Sequence, residues 1–563
     1  MPLLSFLEES AGNRCCFCAL LYKKVSEHAK LFGIPDRISL NLIRNRRLVG
    51  CNFQRLTDGV AEDGIKQTTT HYGEPNLYLA PLSKQLAKSW LAKCKQSHEG
   101  CVGAVSDSSW RPTRLSDLQF ATGPNGFIQV IDTIARTPRR EYVCLSHCWG
   151  GHQPFTLTAE TSGILRGGFP VSDLLRTFRD AVQVCHWFNI RYLWIDSLCI
   201  VPDSRQDWER EAARMKLVYK NGEFTIAATD GQNCESGLFR NRIPAGTVTP
   251  IFEVDQLDSL TETEKKAVGI LDSEMWSRGV EGAHLNTRAW VLQERLLSLR
   301  VLHFGQDQLF WECKSLRACE TFPNYFPALA DKLSQSMFKN MSHFEQLQYS
   351  GQYDKHLSAC LWQWGTIYEA YIRSKLTHQN DRVIALAGAA EEIQGLLKTD
   401  YLAGLWRCRF EDQLAWKVRD PVHAQRAIPY RAPSSSWLAI DGEINPYEHT
   451  TLSKKVAKVL QVEVELTNPD FLTGEMKKGT IKANAHFQDL SWSIGWTGDV
   501  QFVIGKDQVP YNVSKGKFGL FWDTFPENTM LCAHHCQIAV SIPSLLLSVV
   551  VPYPLRLVGL QRH

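Results

Sequence analysis

Asp196, Asp207, Glu209 and Glu211 lie close together around the end of one apolar run and the start of the next helix-spaced segment. Carboxylates gathered at a strand end can line a site, where their charge stabilises developing positive charge. The competing reading is a charged helix face turned to water, and Glu209 fits it. Asp207 sits where a helix would begin, and the helix dipole alone favours an acid there. Asp196 is different: a carboxylate ending a buried strand needs a partner, and Arg288 is the expected one. His147-Cys148 raises the question of a thiol–imidazole pair. Successive side chains on an extended chain point to opposite sides, so these two cannot form that pair with each other.

A second group of chemical residues lies upstream. Cys15-x-x-Cys18 and Cys94-x-x-x-His98-x-x-Cys101 offer five soft ligands, and zinc takes four. The reading set beside zinc is buried structural cysteines. No dinucleotide fingerprint, P-loop, nucleophile elbow or H-E-x-x-H motif occurs.

The acids need a scaffold, and the hydrophobic pattern supplies one. Tyr142 to Ser146 has strand length and stops at His147-Cys148-Trp149-Gly150. Leu174, Phe178, Ala181, Cys185 and Phe188 then recur at helical spacing, with Ser172 as the expected N-cap. Tyr192 to Ile195 is a second strand. Ser204 precedes Asp207 by three residues, an N-cap pattern, and Trp208, Ala212, Met215 and Tyr219 mark the next buried stripe. Glu223 to Ala228 is the third strand. Strand–helix–strand–helix–strand with short links requires a parallel sheet with right-handed crossovers. Ligands then bind outside the carboxyl ends of the strands, where Asp196-Ser197 and His147 to Gly150 fall.

Four regions follow. Residues 1–135 read as helical and irregular, and 136–315 as the α/β core, with a helix over Asn286–Leu297. Residues 316–425 read as helical, with Trp362, Trp364, Tyr368 and Tyr371 for bulk. Residues 426–563 turn to β, with Leu460, Val462, Val464 and Leu466 alternating against polar residues, and Ile481, Ala483, Ala485 and Phe487 likewise.

Composition narrows the partners. The 563 residues are 44% hydrophobic and 21% charged, and 62 basic against 59 acidic residues leave +3. That balance gives no pull toward nucleic acid. Seventeen scattered cysteines and no secretory pattern at the N-terminus predict a reducing, cytoplasmic setting. Pro543 cuts the longest apolar run, Ile538 to Val551, so no membrane span is expected.

Tyr142-Val143-Cys144-Leu145-Ser146-His147-Cys148-Trp149-Gly150 resembles the first signature of the fungal heterokaryon-incompatibility (HET) domain. Leu193 to Ile200, with Asp207-Trp208, Glu211, Met215 and Val218-Tyr219, resembles the second. Thr287 to Arg295 resembles the third. His147 stands where a tyrosine is common, and Val201-Pro202 where Ile-Gln is usual. The resemblance implies a TIR-like or flavodoxin-like βαβαβ core with helical flanks. It also implies an effector of non-self recognition or innate immunity that triggers programmed cell death in a filamentous fungus. Some TIR domains cleave NAD with a single glutamate, so NAD becomes a possible substrate, with Glu211 and Asp196 as catalytic candidates. The crevice residues would be His147, Cys148, Trp149, Gly150, Ser197, Asp207, Arg288, Trp290, Gln293 and Glu294. The implied partners are a protein from an incompatibility or sensor locus and further copies of the chain.

Overall fold

The structure, a computed structural model, describes residues 81–98, 100–102, 110–122, 126–134, 141–151, 155–240, 275–324, 326, 339, 351–377 and most of 379–485. Elsewhere it describes only the backbone of short strands. The chain packs as two units. One comprises Met1–Thr287 with Glu294–Asn340, the other Arg288–Gln293 with Met341–His563.

In the first unit, strand β3 (Tyr142–Ser146) is buried along its whole length. Such a strand covered on both faces belongs at the centre of a parallel sheet. Helix α2 (Ser162–Gly167) is short; helix α3 (Arg176–Trp187) leads to β5 (Tyr192–Trp194), and helix α5 (Arg205–Asn221) leads to β6 (Thr225–Ala227). A fourth parallel strand, β7 (Arg300–Phe304), follows helix α6 (Ala289–Leu297). The parallel order is β5-β3-β6-β7. Numbered within this core it reads second, first, third, fourth, the flavodoxin-like order. Its register is level: Ser146 stands beside Ala227, and Ala227 beside His303.

Alternation along β3 divides the core between two faces. Val143 and Leu145 join Phe178, Ala181 and Cys185 of α3 in one apolar layer. Tyr142 and Cys144 point the other way: the Tyr142 hydroxyl donates to the Val218 carbonyl of α5 at 2.6 Å. Ser204 caps α5 as expected, its Oγ accepting from the Asp207 amide at 3.3 Å. Ser172 does not cap α3. It lies in a 3-10 turn, Val171–Asp173, and α3 begins after Leu175. The first amides of α3 are served from elsewhere: Thr177 N–H donates to the Cys234 carbonyl and Arg176 N–H to Glu235. The helix expected from Asn286 starts at Ala289, after a 3-10 turn at His284–Thr287.

Antiparallel strands extend the sheet on both sides to nine. On one side lie β1 (Arg114–Asp117), β2 (Phe127–Asp132) and the two-residue β4 (Phe169–Pro170). On the other lie β8 (Leu309–Cys313) and β9 (Arg317–Cys319). The region expected to be helical before residue 135 thus holds, in its described part, one helix, α1 (Pro81–Ser97), the strands β1 and β2 of this sheet and three further strands. Strand β1 carries two charged residues, Arg114 and Asp117. Both are buried, because Arg114 pairs with Asp207 and Asp117 with Arg191. Backbone strands Arg37–Arg44, Arg47–Gln54, Ile65–Thr68, Ile251–Val254 and Val268–Leu271 form a separate five-stranded sheet.

The second unit centres on helices Tyr353–Ile372 and Ile384–Leu397. Trp364, Trp406 and Trp437 are fully buried together, whereas Trp362 is exposed. Strands Ala457–Leu466 and Met476–Ala485 form a long hairpin. The expected alternation breaks at its start, where a register shift between Val459 and Gln461 leaves Leu460 exposed while Val462 is buried. A bulge inserts one residue and so changes which face the next side chain takes. Further strands lie between 490 and 550, and the side chains of the apolar tail fall outside the described residues. Among the described residues no helix is long and apolar enough to cross a membrane.

Candidate functional site

The carboxyl ends of β3 and β6 flank the point where the strand order reverses, the position at which doubly wound sheets bind ligands. After β3 the chain runs through His147, Cys148, Trp149 and Gly150. The His147 ring is buried edge-on to Phe178, centroids 5.0 Å apart. Its Nδ1 stands 3.8 Å from Asp196 Oδ1. Trp149 Nε1 donates to Asp196 Oδ2 at 3.0 Å, and the Ser197 amide donates to Asp196 Oδ1 at 2.7 Å. Asp196 opens a short helical turn, α4 (Asp196–Cys199), with its side chain 25% exposed. Its carboxylate is therefore held from three sides and still meets solvent. The backbone of Arg288, the partner expected for it, forms a β-bridge with that of Lys375.

The loop after β6 reaches across to the loop after β3. Cys234 Sγ lies 3.5 Å from the Cys148 carbonyl, while that of Asn233 is served by Ser236. Gly150 has φ +75, and a Cβ there would fall 2.0 Å from Asn233 Cβ. Gly151 has φ +73 with open space around it. Only a residue without a side chain lets the two loops touch. Gly150→Ala is therefore expected to destabilise the unit by roughly 1–3 kcal/mol from backbone strain, plus the cost of parting the loops. Gly151→Ala should show the strain alone. Equal melting temperatures for the two variants would mean that the loops separate freely.

Asp207 and Glu211 are placed differently from Asp196. Asp207 Oδ1 and Oδ2 accept from Arg114 at 2.6 and 2.9 Å, Oδ2 accepts the Val201 amide at 2.9 Å, and Arg210 adds a further pair. Burial acts to raise the Asp207 pKa, but the Arg114 hydrogen bonds, the Val201 amide and both guanidinium charges outweigh it and hold the carboxyl below its usual range. Glu211, 2% exposed, accepts from Thr113 Oγ1 at 2.7 Å and pairs with Arg210 at 3.0 Å. Glu209 forms an exposed i,i+4 pair with Arg205. Asp207 and Glu211 thus fasten α5 to β1 and its approach, away from solvent.

The third motif divides between the two units. Trp290 Nε1 donates to Asp381 at 3.3 Å, and Gln293 Oε1 accepts the Gly388 amide at 2.8 Å, both within the second unit. Glu294 belongs to the first, beside the buried Tyr219 hydroxyl. Burial first, and then the charge of Glu294, push the Tyr219 pKa well above its ordinary value.

Three groups escaped sequence reasoning. Arg114 is the first. The second is a buried ionic cluster on β7 and β8: Glu312 accepts from Arg295 Nε at 2.9 Å and stands 3.4 Å from His303 Nε2, with Lys339 close by. The third is Cys313, whose sulfur joins Cys94, His98 and Cys101; the four ligand atoms lie within 4.8 Å of one another. Cys15 and Cys18 lie outside the described residues. Each group pairs residues distant in sequence, so no local spacing announces it.

The family model described as heterokaryon incompatibility protein (HET) matches residues 142–294, from the first residue of β3 into α6. No curated protein and no solved structure matches the chain.

Proposed function

We propose, from the HET domain that residues 142–294 carry, that the chain is an effector of heterokaryon incompatibility that triggers cell death when non-self is met. The observation supporting an effector that works through assembly or partner binding is where the acids of its second motif are engaged. Asp207 and Glu211 are tied to Arg114, Arg210 and Thr113, as structural charges are. The partner would be a protein from an incompatibility or sensor locus, or a second copy of the chain.

One observation supports a second, hydrolytic reading. Asp196 is aimed by Trp149 and the Ser197 amide yet keeps an exposed face, as a carboxylate stabilising a ribosyl cation of NAD would need. Glu211, the other candidate, lacks such a face. Induced expression in a filamentous fungus is expected to arrest growth. Asp196→Asn keeps the size and planar shape of the side chain but removes its charge and one of its two accepting oxygens. If the domain acts by assembly, this variant should still kill, and purified protein should release no nicotinamide from NAD. Nicotinamide release lost on the order of a hundredfold in Asp196→Asn, together with lost killing, would replace the assembly reading by the hydrolytic one. No growth arrest from well-expressed wild-type protein would remove both.

A further inference from the structure

We propose that Cys94, His98, Cys101 and Cys313 bind one zinc ion in a closed structural site that ties α1 to the end of β8. Cys94 lies in the last turn of α1 and His98 one turn on, so both present to the same side. The chain then turns back: the Cys101 and Val102 amides both donate to the His98 carbonyl, at 2.8 and 2.9 Å, which brings Cys101 beside them. Cys313 is the last residue of β8, where its amide donates to the Leu316 carbonyl across the turn into β9. His98 Nδ1 and Cys313 Sγ are 3.3 Å apart. A tetrahedron with Zn–S bonds of ~2.3 Å has edges of roughly 3.8 Å, which fits inside the 4.8 Å envelope of the four ligand atoms.

Ligand number and type favour zinc over other uses. Thiolate and imidazole in a four-ligand set are the soft donors of structural zinc sites, and no position is left open for substrate. A disulfide would use two of three neighbouring sulfurs and leave the third sulfur and the imidazole without a role. All three cysteines are buried, Cys94 0%, Cys101 1% and Cys313 3% exposed.

The surroundings balance the charge of such a site. Zinc with three thiolates carries one net negative charge, and Glu223 adds another. Arg300, 2% exposed, places Nε 3.1 Å from Cys94 Sγ, and Lys95 pairs with Glu223 at 2.8 Å. A buried guanidinium aimed at a sulfur is explained when that sulfur is a metal-bound thiolate, and such outer groups orient and tune metal ligands. The ion would also fix the stack of Trp90 on Trp311, 6.3 Å between centroids, by holding α1 against β8.

The test is elemental analysis of the full chain, purified without chelator and without a metal-affinity step. Wild type is expected to hold close to one zinc per chain. Cys313→Ser should lower the zinc content by about tenfold or more, as should His98→Ala, whereas His98→Cys restores a four-thiolate site and should keep the metal. Cys408→Ser, at a half-buried cysteine outside the cluster, should keep it too. Replacement of zinc by cobalt should give the visible absorption of a tetrahedral thiolate site. Should Cys313→Ser fail to fold, the contrast between His98→Ala and His98→Cys decides. Soluble wild-type protein without stoichiometric zinc, a Cys313→Ser protein with undiminished zinc, or a disulfide within the cluster by mass under non-reducing conditions would each overturn the proposal.

Discussion

Asp207→Asn is expected to destabilise the first unit by about 3–5 kcal/mol, the cost of leaving one partner of a buried ion pair behind. Arg114 would be that partner. Its guanidinium is committed to Asp207 and to the Cys199 carbonyl at 2.8 Å, and its side chain is 9% exposed. The carboxylate also holds the Val201 amide, so one group joins β1, the end of α4 and the start of α5. Because the folded-state pKa of Asp207 lies below the ordinary 3.8, its contribution is fully present above that pH and fades as pH falls through the folded value. Urea denaturation across pH should show this: the variant loses the wild type's advantage at neutral pH, and the difference narrows in strong acid. A variant within about 1 kcal/mol of wild type at pH 7 would mean that water reaches Arg114 and screens it.

The second large effect is expected at Glu312, where Gln should cost a similar 3–5 kcal/mol. Glu312 is 0% exposed and is the anion facing Arg295, with Lys339 and His303 around it. Burial works to raise its pKa, but the charges of Arg295 and Lys339 and the His303 hydrogen bond hold it well below the ordinary carboxylate value. Burial pushes Lys339 down to about 8 and His303 to about 4, against ordinary values of 10.5 and 6.5. For His303 the unfolded chain binds more protons between pH 4 and 6.5. Stability should therefore fall as pH drops through that window, before the loss that belongs to Asp207. For Lys339 the corresponding gain appears as pH rises from about 8 toward 10.5. Replacing Glu312 and Arg295 together by Leu should cost far less than Glu312→Gln alone, since no unpaired charge remains from that pair. A double variant as unstable as the single one would show that packing, rather than charge, is at stake.

Local pattern carried much of this architecture. The Ser204 cap of α5 and most of its stripe, Ala212, Met215 and Tyr219, are written within a few residues, and so is the apolar run of β3; Trp208 is only half-buried, its place on the buried face taken by Asp207 and Glu211 with their partners. The sites that depend on tertiary pairing were not legible. Arg114 shows no role in the sequence until Asp207 is placed against it, and Cys313 is a lone cysteine until α1 and the turn after it bring Cys94, His98 and Cys101 to it. The 3-10 turn ahead of α3 was missed for the same reason, since its helix start is served by Cys234 and Glu235 from another loop. Trp290 and Gln293 read as crevice residues because their motif is continuous with the rest. Their hydrogen bonds go to Asp381 and Gly388.

The way the nine-stranded sheet ends constrains how copies of this chain could polymerise. Its outermost strands are β4, two residues long and ending in Pro170, and β9, three residues long. Proline has no N–H to give, and so short a row of backbone groups offers an incoming strand almost nothing to template on. Growth of a filament by adding strands edge to edge is therefore disfavoured at both borders. If copies of the chain do associate through this part of the fold, its helix and loop surfaces are what this sheet leaves them, and there affinity comes from side chains. Single surface substitutions can then tune it without disturbing the sheet.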